Sequence, residues 1–199
     1  MSKSINIAFL TSGKSRGSNF EAIMRHLQEV DLPIRVQFLV ITRADAPIKK
    51  RADFFGVKYI LLDDKKSFER NLITYLEEYE VNLLVLAGFM RKLSHDFLQS
   101  FQGDVINIHP ALLPKYGGEG MYGIRVHEKV FESGETESGV TVHRVNDDYD
   151  AGPIIAQEIV SISDCRNPEE IAHRVLEIEH SLYPRTIEKL AREYLKNHT

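Results

Sequence analysis

The sequence predicts an α/β fold, one domain built on a doubly wound, mostly parallel, Rossmann-like sheet. Three observations lead there. Short apolar runs alternate with segments whose apolar residues recur at helical spacing, the pattern of a sheet with helices on both faces. The run Asn82–Ala87 is almost wholly apolar, the mark of a strand covered on both sides. The unusual residues Gly17-Ser18-Asn19, Gly88-Phe89-Met90-Arg91, Asn107-Ile108-His109 and Asp150 fall near strand ends, and ligands of such sheets bind beyond the carboxyl ends of the strands.

Each element follows in order. Ile5–Thr11 reads as a buried strand and Gly13–Gly17 as a loop. Ser18-Asn19-Phe20-Glu21 has the form of a capping box, opening a helix whose stripe is Phe20, Ile23, Met24, Leu27 and Val30. Ile34, Val36, Phe38 and Val40 alternate as in a strand. Asp45 is placed to cap a second helix, with Pro47 in its first turn and Gly56 beyond its end. Val57–Leu62 is a short strand, and Phe68, Leu72, Tyr75, Leu76 and Tyr79 form the next helical stripe. After the strand Asn82–Ala87 come a short helix near Ser94–Phe101 and the strand Asp104–Ile108. The glycine-bearing segment Pro110–Gly123 leads to a helix over Val126–Glu132 and two strands, Val140–Val145 and Pro153–Val160. Asn167 and Pro168 start a last helix with the stripe Ile171, Val175, Ile178 and Leu182, which Pro184 should bend or interrupt.

With 199 residues the chain is long enough to bury a sizeable core, and no linker or internal repeat divides it. The net charge of −4, with basic residues scattered, argues against a nucleic-acid surface. The single cysteine, Cys165, excludes an intrachain disulfide framework or a cysteine-based zinc site, and it reads as an inert loop thiol. The first apolar run is too short for a signal peptide or a membrane span, which predicts a cytoplasmic protein away from membranes.

Asn107 and His109, one residue apart on an extended chain, point to the same side. An amide and an imidazole side by side suit a developing oxyanion, and the carboxylate of Asp150 can hold the imidazole and relay a proton. Gly13–Asn19 sits between a strand and a helix start, where backbone amides favour an anion. Its spacing matches neither the dinucleotide fingerprint nor a P-loop. Asp147, Asp148 and Asp150 lack the alternating ligands of a calcium loop, and His127-Glu128 is not part of a zinc HExxH motif, so no metal is expected.

The motifs Gly17-Ser18-Asn19, Ala87-Gly88-Phe89-Met90-Arg91, Asn107-Ile108-His109-Pro110 with Ala111-Leu112-Leu113-Pro114, Val142-His143, Asp150-Ala151-Gly152-Pro153 and Ile178-Glu179-His180 with Tyr183-Pro184 occur in this order. With them the chain resembles, over nearly its whole length, the folate-dependent phosphoribosylglycinamide formyltransferases. That resemblance implies the Rossmann-like formyltransferase fold. It implies transfer of a formyl group from 10-formyltetrahydrofolate, as cosubstrate, to the primary amine of glycinamide ribonucleotide in purine biosynthesis, by direct amine attack through a tetrahedral oxyanion. By position, it implies that Gly17, Ser18 and Asn19 bind the substrate phosphate, Glu179 the ribose hydroxyls, and Pro110 the same substrate. It implies that Met90, Arg91, Lys92 and Leu93, with the loop Val145, Asn146, Asp147, Asp148, Tyr149 and Asp150, line the pterin slot. Asn107 and His109 would polarise the formyl oxygen, with Asp150 paired to His109. The N-terminal half would serve the phosphate-bearing substrate, the C-terminal half the folate and the chemistry, in a monomer or homodimer acting on small molecules.

The chain departs from the pattern in three places. Lys14-Ser15-Arg16 lengthens the first loop, and Lys14 or Arg16 could reach the phosphate. Tyr116–Gly123 is longer and richer in glycine, with Arg125 or Ile124 where a histidine often stands. Leu176 replaces a polar residue. Three other readings compete. A deformylating hydrolase would use the same Asn-His-Asp site but has no need of a phosphate loop. A formyltransferase acting on aminoacyl-tRNA would want a further domain and a basic surface. A non-catalytic ligand-binding module has only the generic fold in its favour.

Overall fold

A computed structural model describes residues 4–13 and 16–197. The strands are β1 (Ile5–Thr11), β2 (Ile34–Ile41), β3 (Tyr59–Leu61), β4 (Leu83–Leu86), β5 (Asp104–His109), β6 (Glu137–Arg144) and β7 (Ile154–Ser161). They form one sheet in the order β3-β2-β1-β4-β5-β6-β7. β1 to β5 are mutually parallel, whereas β5–β6 and β6–β7 pair antiparallel. The order reverses direction between β1 and β4, the switch point at which sheets of this class open a crevice.

The helices are α1 (Ser18–Glu29), α2 (Lys49–Phe54), α3 (Phe68–Glu78), α4 (His95–Ser100), α5 (Ile124–Glu132) and α6 (Pro168–Asn197). The pleat of the central strands divides the core in two. Ile5, Ile7 and Phe9 of β1 pack with α1, α2, α5 and α6, whereas Ala8 and Leu10 pack with α3 and α4. β4 is buried along its whole length, as its apolar run predicts. Tyr183 of α6 is fully buried, and its hydroxyl reaches the carbonyls of Leu86 (2.9 Å) and Ile106 (3.2 Å), tying β4 to β5 just short of their carboxyl ends.

Several local expectations are corrected. Ser18 and Glu21 do not form a capping box. Gly17 occupies the cap in the left-handed region (φ 81°), there is no side-chain cap, and Ser18 is already helical. Glu21 instead binds Arg25 and Arg51. Asp45 does not cap α2, because its carboxylate is engaged by Arg43 at 2.6 Å and the helix starts only at Lys49, beyond Pro47. Pro184 does not interrupt α6, which runs on to Asn197. The last helix does carry the reciprocal cap its sequence suggests: Asn167 Oδ1 accepts from the Glu170 amide at 2.9 Å, and Asn167 Nδ2 donates to Glu170 Oε1 at 3.1 Å. Burial pushes the Cys165 thiol up, in keeping with an inert role.

Tyr183→Phe removes the hydroxyl shared by two buried carbonyls. We expect a loss of about 1–3 kcal/mol, read as a lower urea midpoint with an unchanged slope; a wild-type midpoint refutes the tie.

Candidate active site

The carboxyl ends of β4 and β5 open into a cavity of about 780 Å³, within the usual range for a small-molecule site. Asn107 and His109 lie on one face of β5, as their spacing predicts, and the antiparallel neighbour completes a block of four polar residues. Asn107 pairs with His143 and His109 with Thr141 across the β5–β6 ladder. Thr141 is spent on structure, donating to the Ala111 carbonyl at 2.7 Å and accepting from the Leu113 amide at 3.1 Å, which fixes the chain just after His109. His109 and His143 face Asp150, and Asn107 reaches His143.

The backbone assigns the imidazole tautomers. His109 Nε2 donates to the Tyr116 carbonyl at 2.7 Å, and His143 Nδ1 donates to the Arg144 carbonyl at 2.9 Å. The remaining nitrogens turn toward one carboxylate: His109 Nδ1 lies 3.4 Å from Asp150 Oδ2 and His143 Nε2 lies 3.5 Å from Asp150 Oδ1. Asn107 donates one amide hydrogen to His143 Nε2 at 3.4 Å, leaving its second hydrogen for a ligand. The Gly118 amide donates to Asp150 Oδ2 at 3.1 Å. Both imidazoles are almost fully buried, at 3% and 2% exposure.

Burial pushes His109 below its ordinary value, opposed by the charge of Asp150 and by the Tyr116 carbonyl. Burial works to raise Asp150, but His143, the charge of His109 and the Gly118 amide outweigh it and hold the carboxyl below its ordinary value. The carboxylate at rest is therefore ionised between the two rings, which makes the cluster a proton acceptor. His109 has no free N–H in this arrangement; a direct hydrogen bond to a substrate oxygen would take its Nε2 proton away from Tyr116.

A second polar pair stands across the cavity. Asn19, in the first turn of α1, donates through Nδ2 to Glu179 Oε2 of α6 at 2.6 Å, and its own Oδ1 is buried without a partner. Burial raises Glu179, against the hydrogen bond from Asn19. The orphaned amide oxygen marks a place for a ligand donor.

The remaining expected residues divide. Pro110, Met90, Arg91, Lys92 and Leu93 line the cavity, as do Val145, Asn146, Asp148 and Tyr149 of the expected folate loop. Met90 and Tyr149 expose large apolar surface there, and the Lys92 ammonium lies over the Tyr149 ring at 5.6 Å. Gly17, Ser18 and Asp147 do not line it. Gly17 is packed against Ile48, so that a Cβ there would sit 2.4 Å from Ile48 Cγ1. Asp147 turns outward to His95 Nδ1 at 2.9 Å. Arg16 is exposed and its carbonyl accepts from Arg51 Nη1, whereas Lys14 lies outside the described residues. Arg125, Ile124 and Leu176, the departures from the pattern, all face the cavity.

His143 is the main residue missing from the sequence-based site. Its signal was present: Thr141-Val142-His143 repeats the polar-apolar-polar step of Asn107-Ile108-His109. His127 was also set aside. It lines the cavity at 5% exposure with Nδ1 unpartnered.

Burial, aided by the nearby His109, pushes His127 from 6.5 down to about 4. Between those values the unfolded chain binds the extra proton and the folded one does not. His127 therefore supports full stability above about pH 6.5 and withdraws it as pH falls toward 4, by about 3 kcal/mol in all. Urea midpoints measured at neutral pH and near pH 4.5 should diverge less in His127→Gln than in wild type; equal divergence refutes the assignment.

Comparison with known proteins places the chain. The formyl transferase family model matches residues 5–187. Phosphoribosylglycinamide formyltransferase of Bacillus subtilis is 35% identical over 92% of this chain and 93% of its own length. That of Escherichia coli is 36% identical over 98% and 91%. The chloroplastic enzyme of Arabidopsis thaliana is 36% identical over 90% of this chain, which spans 64% of that longer protein. Among solved structures, phosphoribosylglycinamide formyltransferase of Coxiella burnetii, in complex with CHES, superposes with a TM-score of 0.85 at 38% identity, covering 96% of this chain and 89% of that one. Among the described residues no helix is long and apolar enough to cross a membrane.

Proposed function

The chain belongs to the formyl transferase family, and from that premise we propose that it transfers the formyl group of 10-formyltetrahydrofolate to the primary amine of glycinamide ribonucleotide. The observation that carries the chemistry is the meeting of Asn107, His109, His143 and Asp150 on one cavity wall. Family likeness over nearly the whole length of bacterial phosphoribosylglycinamide formyltransferases supports the choice of substrates.

The acceptor amine attacks the formyl carbon directly. A carbon–nitrogen bond forms as the carbonyl pair moves onto oxygen. Asn107 donates its free amide hydrogen to that oxygen, and His109 steadies the negative charge as an imidazolium once its Nδ1 shares the proton that the Asp150 cluster takes up. Asp150, ionised beside His109 and His143, takes the proton that leaves the amine. The oxyanion then collapses, the bond to the folate nitrogen breaks, and the proton held at the Asp150 cluster passes to the departing nitrogen. Every proton is returned, so no protein nucleophile and no metal is required.

Asn19 and Glu179 hold the ribonucleotide, with Pro110 lying against the same substrate and the phosphate toward the start of α1, where Gly17 and Ser18 stand just outside the cavity lining. The cavity edge formed by Met90–Leu93 and by Val145, Asn146, Asp148 and Tyr149 takes the pterin; the exposed Met90 and Tyr149 side chains offer apolar surface to a flat bicycle of that kind. The N-terminal half thus serves chiefly the phosphate-bearing substrate, and the C-terminal half the folate and the chemistry. The enzyme acts on small molecules rather than nucleic acid, away from membranes, in the cytoplasm, as a monomer or homodimer.

The decisive assay follows deformylated folate by absorbance with and without glycinamide ribonucleotide. Product that depends on the ribonucleotide supports the transfer; formate released at the same rate without it turns the reading into hydrolysis. Asn107→Ala should lower kcat by roughly 10²–10³, and Asp150→Asn by roughly 10²–10⁴, with folding intact by circular dichroism. Because His109 and Asp150 both titrate below their ordinary values, kcat/KM should be flat across neutral pH and fall only on acidification below the ordinary histidine range. A fall beginning above it contradicts a resting proton acceptor.

A further inference from the structure

We propose that Tyr116-Gly117-Gly118 is a positioning device for the catalytic pair, anchored from outside by Glu135. The inference rests on the roles given above to His109 and Asp150.

One tripeptide meets both groups, with backbone atoms of opposite polarity. The Tyr116 carbonyl accepts from His109 Nε2 at 2.7 Å, and two residues on the Gly118 amide donates to Asp150 Oδ2 at 3.1 Å. A carbonyl can serve only a ring nitrogen that bears hydrogen, and an amide favours an ionised carboxylate. Together they favour Nε2–H on His109 and an ionised Asp150 beside its Nδ1. Gly117, between them, lies so close to the pair that a Cβ there would come within 3.2 Å of Asp150 Cβ and 2.5 Å of Leu113 Cδ2.

Tyr116 itself stands in the left-handed region at φ 58°, a conformation that favours glycine. Its side chain accounts for a tyrosine at this place. The phenol donates to Glu135 Oε1 at 3.0 Å, and Lys115 Nζ meets the same oxygen at 2.9 Å. The ring packs against the core between these polar ends. A surface carboxylate thus fixes the phenol, the phenol fixes the backbone turn, and the turn aims the carbonyl at His109. Tyr116 touches no reacting atom in this scheme; it acts through the imidazole.

The test uses Tyr116→Phe, Glu135→Ala and the double variant of the full chain, with both substrates. We expect kcat to fall about tenfold in each, the yield of roughly one neutral hydrogen bond, with both KM values nearly unchanged. The double variant should fall no further than either single one, because the two changes cut the same chain. Ring nitrogen chemical shifts of His109 should report the Nε2–H tautomer in wild type and a tautomer mixture in both variants, a readout that loosened packing alone would not move. Wild-type kcat with an unchanged tautomer overturns the proposal. So does a rise in kcat, which would mean that the Tyr116 carbonyl competes with substrate for the Nε2 hydrogen. Should Tyr116→Phe not fold, Glu135→Ala at the surface carries the same test. His109→Ala separates the two readings: activity lost there but wild-type kcat in Tyr116→Phe and Glu135→Ala sinks the positioning role alone, whereas full activity in His109→Ala sinks the catalytic reading beneath it.

Discussion

The register of β5 against β6 is the constraint on which the site depends. It sets Asn107 opposite His143 and His109 opposite Thr141. In a sheet a slip of one residue would turn every side chain of a strand to the other face. Here it would carry Ile106 and Ile108 toward the cavity and bury the amide and the imidazole among the aliphatic side chains under α6. The apolar alternation of both strands forbids that slip. Val140 and Val142 on β6 pack in the same core cluster as Ile106, so the burial that stabilises the fold also aligns the polar groups of the cavity wall.

Burial sets the chemistry as well as the geometry. An isolated buried imidazole loses its proton, and an isolated buried carboxyl gains one. Side by side with the backbone supplying the missing partners, both ring nitrogens and both carboxylate oxygens are accounted for without a fixed charge from lysine or arginine. The cost of an ionised carboxylate at this depth is offset by one amide and two imidazoles. The antiparallel tail of the sheet matters here. A sixth parallel strand would have needed a crossover helix, whereas the turn after β6 brings the chain straight back and leaves Asp150 at φ 54°, aimed across at β5.

Much of this was legible in the sequence, and the failures have a common cause. Strand order apart, the alternation of apolar runs located the seven strands and the starts of the six helices among the described residues to within a few residues, whereas α6 runs on past Pro184 to Asn197. The cap at Asn167 was readable because every partner lies within four residues. The cap at Ser18 was misread because Glu21 is claimed by Arg51, thirty residues away and invisible to a local rule, and because Gly17 closes the helix start with its backbone. Asp45 failed in the same way, taken by Arg43. Asn107, His109 and Asp150 stood out as side chains at strand ends, and His143 repeated the same alternation one strand later. The contributions of Tyr116 and Gly118 left no such trace, because a carbonyl and an amide belong to every residue and only the path of the chain makes them particular.

The contact between Asn19 and Glu179 joins residues 160 positions apart. Synthesis on the ribosome proceeds from the N-terminus, so the first turn of α1 emerges long before α6 exists. The parallel core of β1 to β5 has all its strands before α6 is made, and the far wall of the crevice follows after it. A prematurely terminated chain would therefore display half a binding surface and close around nothing. The crevice is therefore complete only once α6 has been added to the sheet.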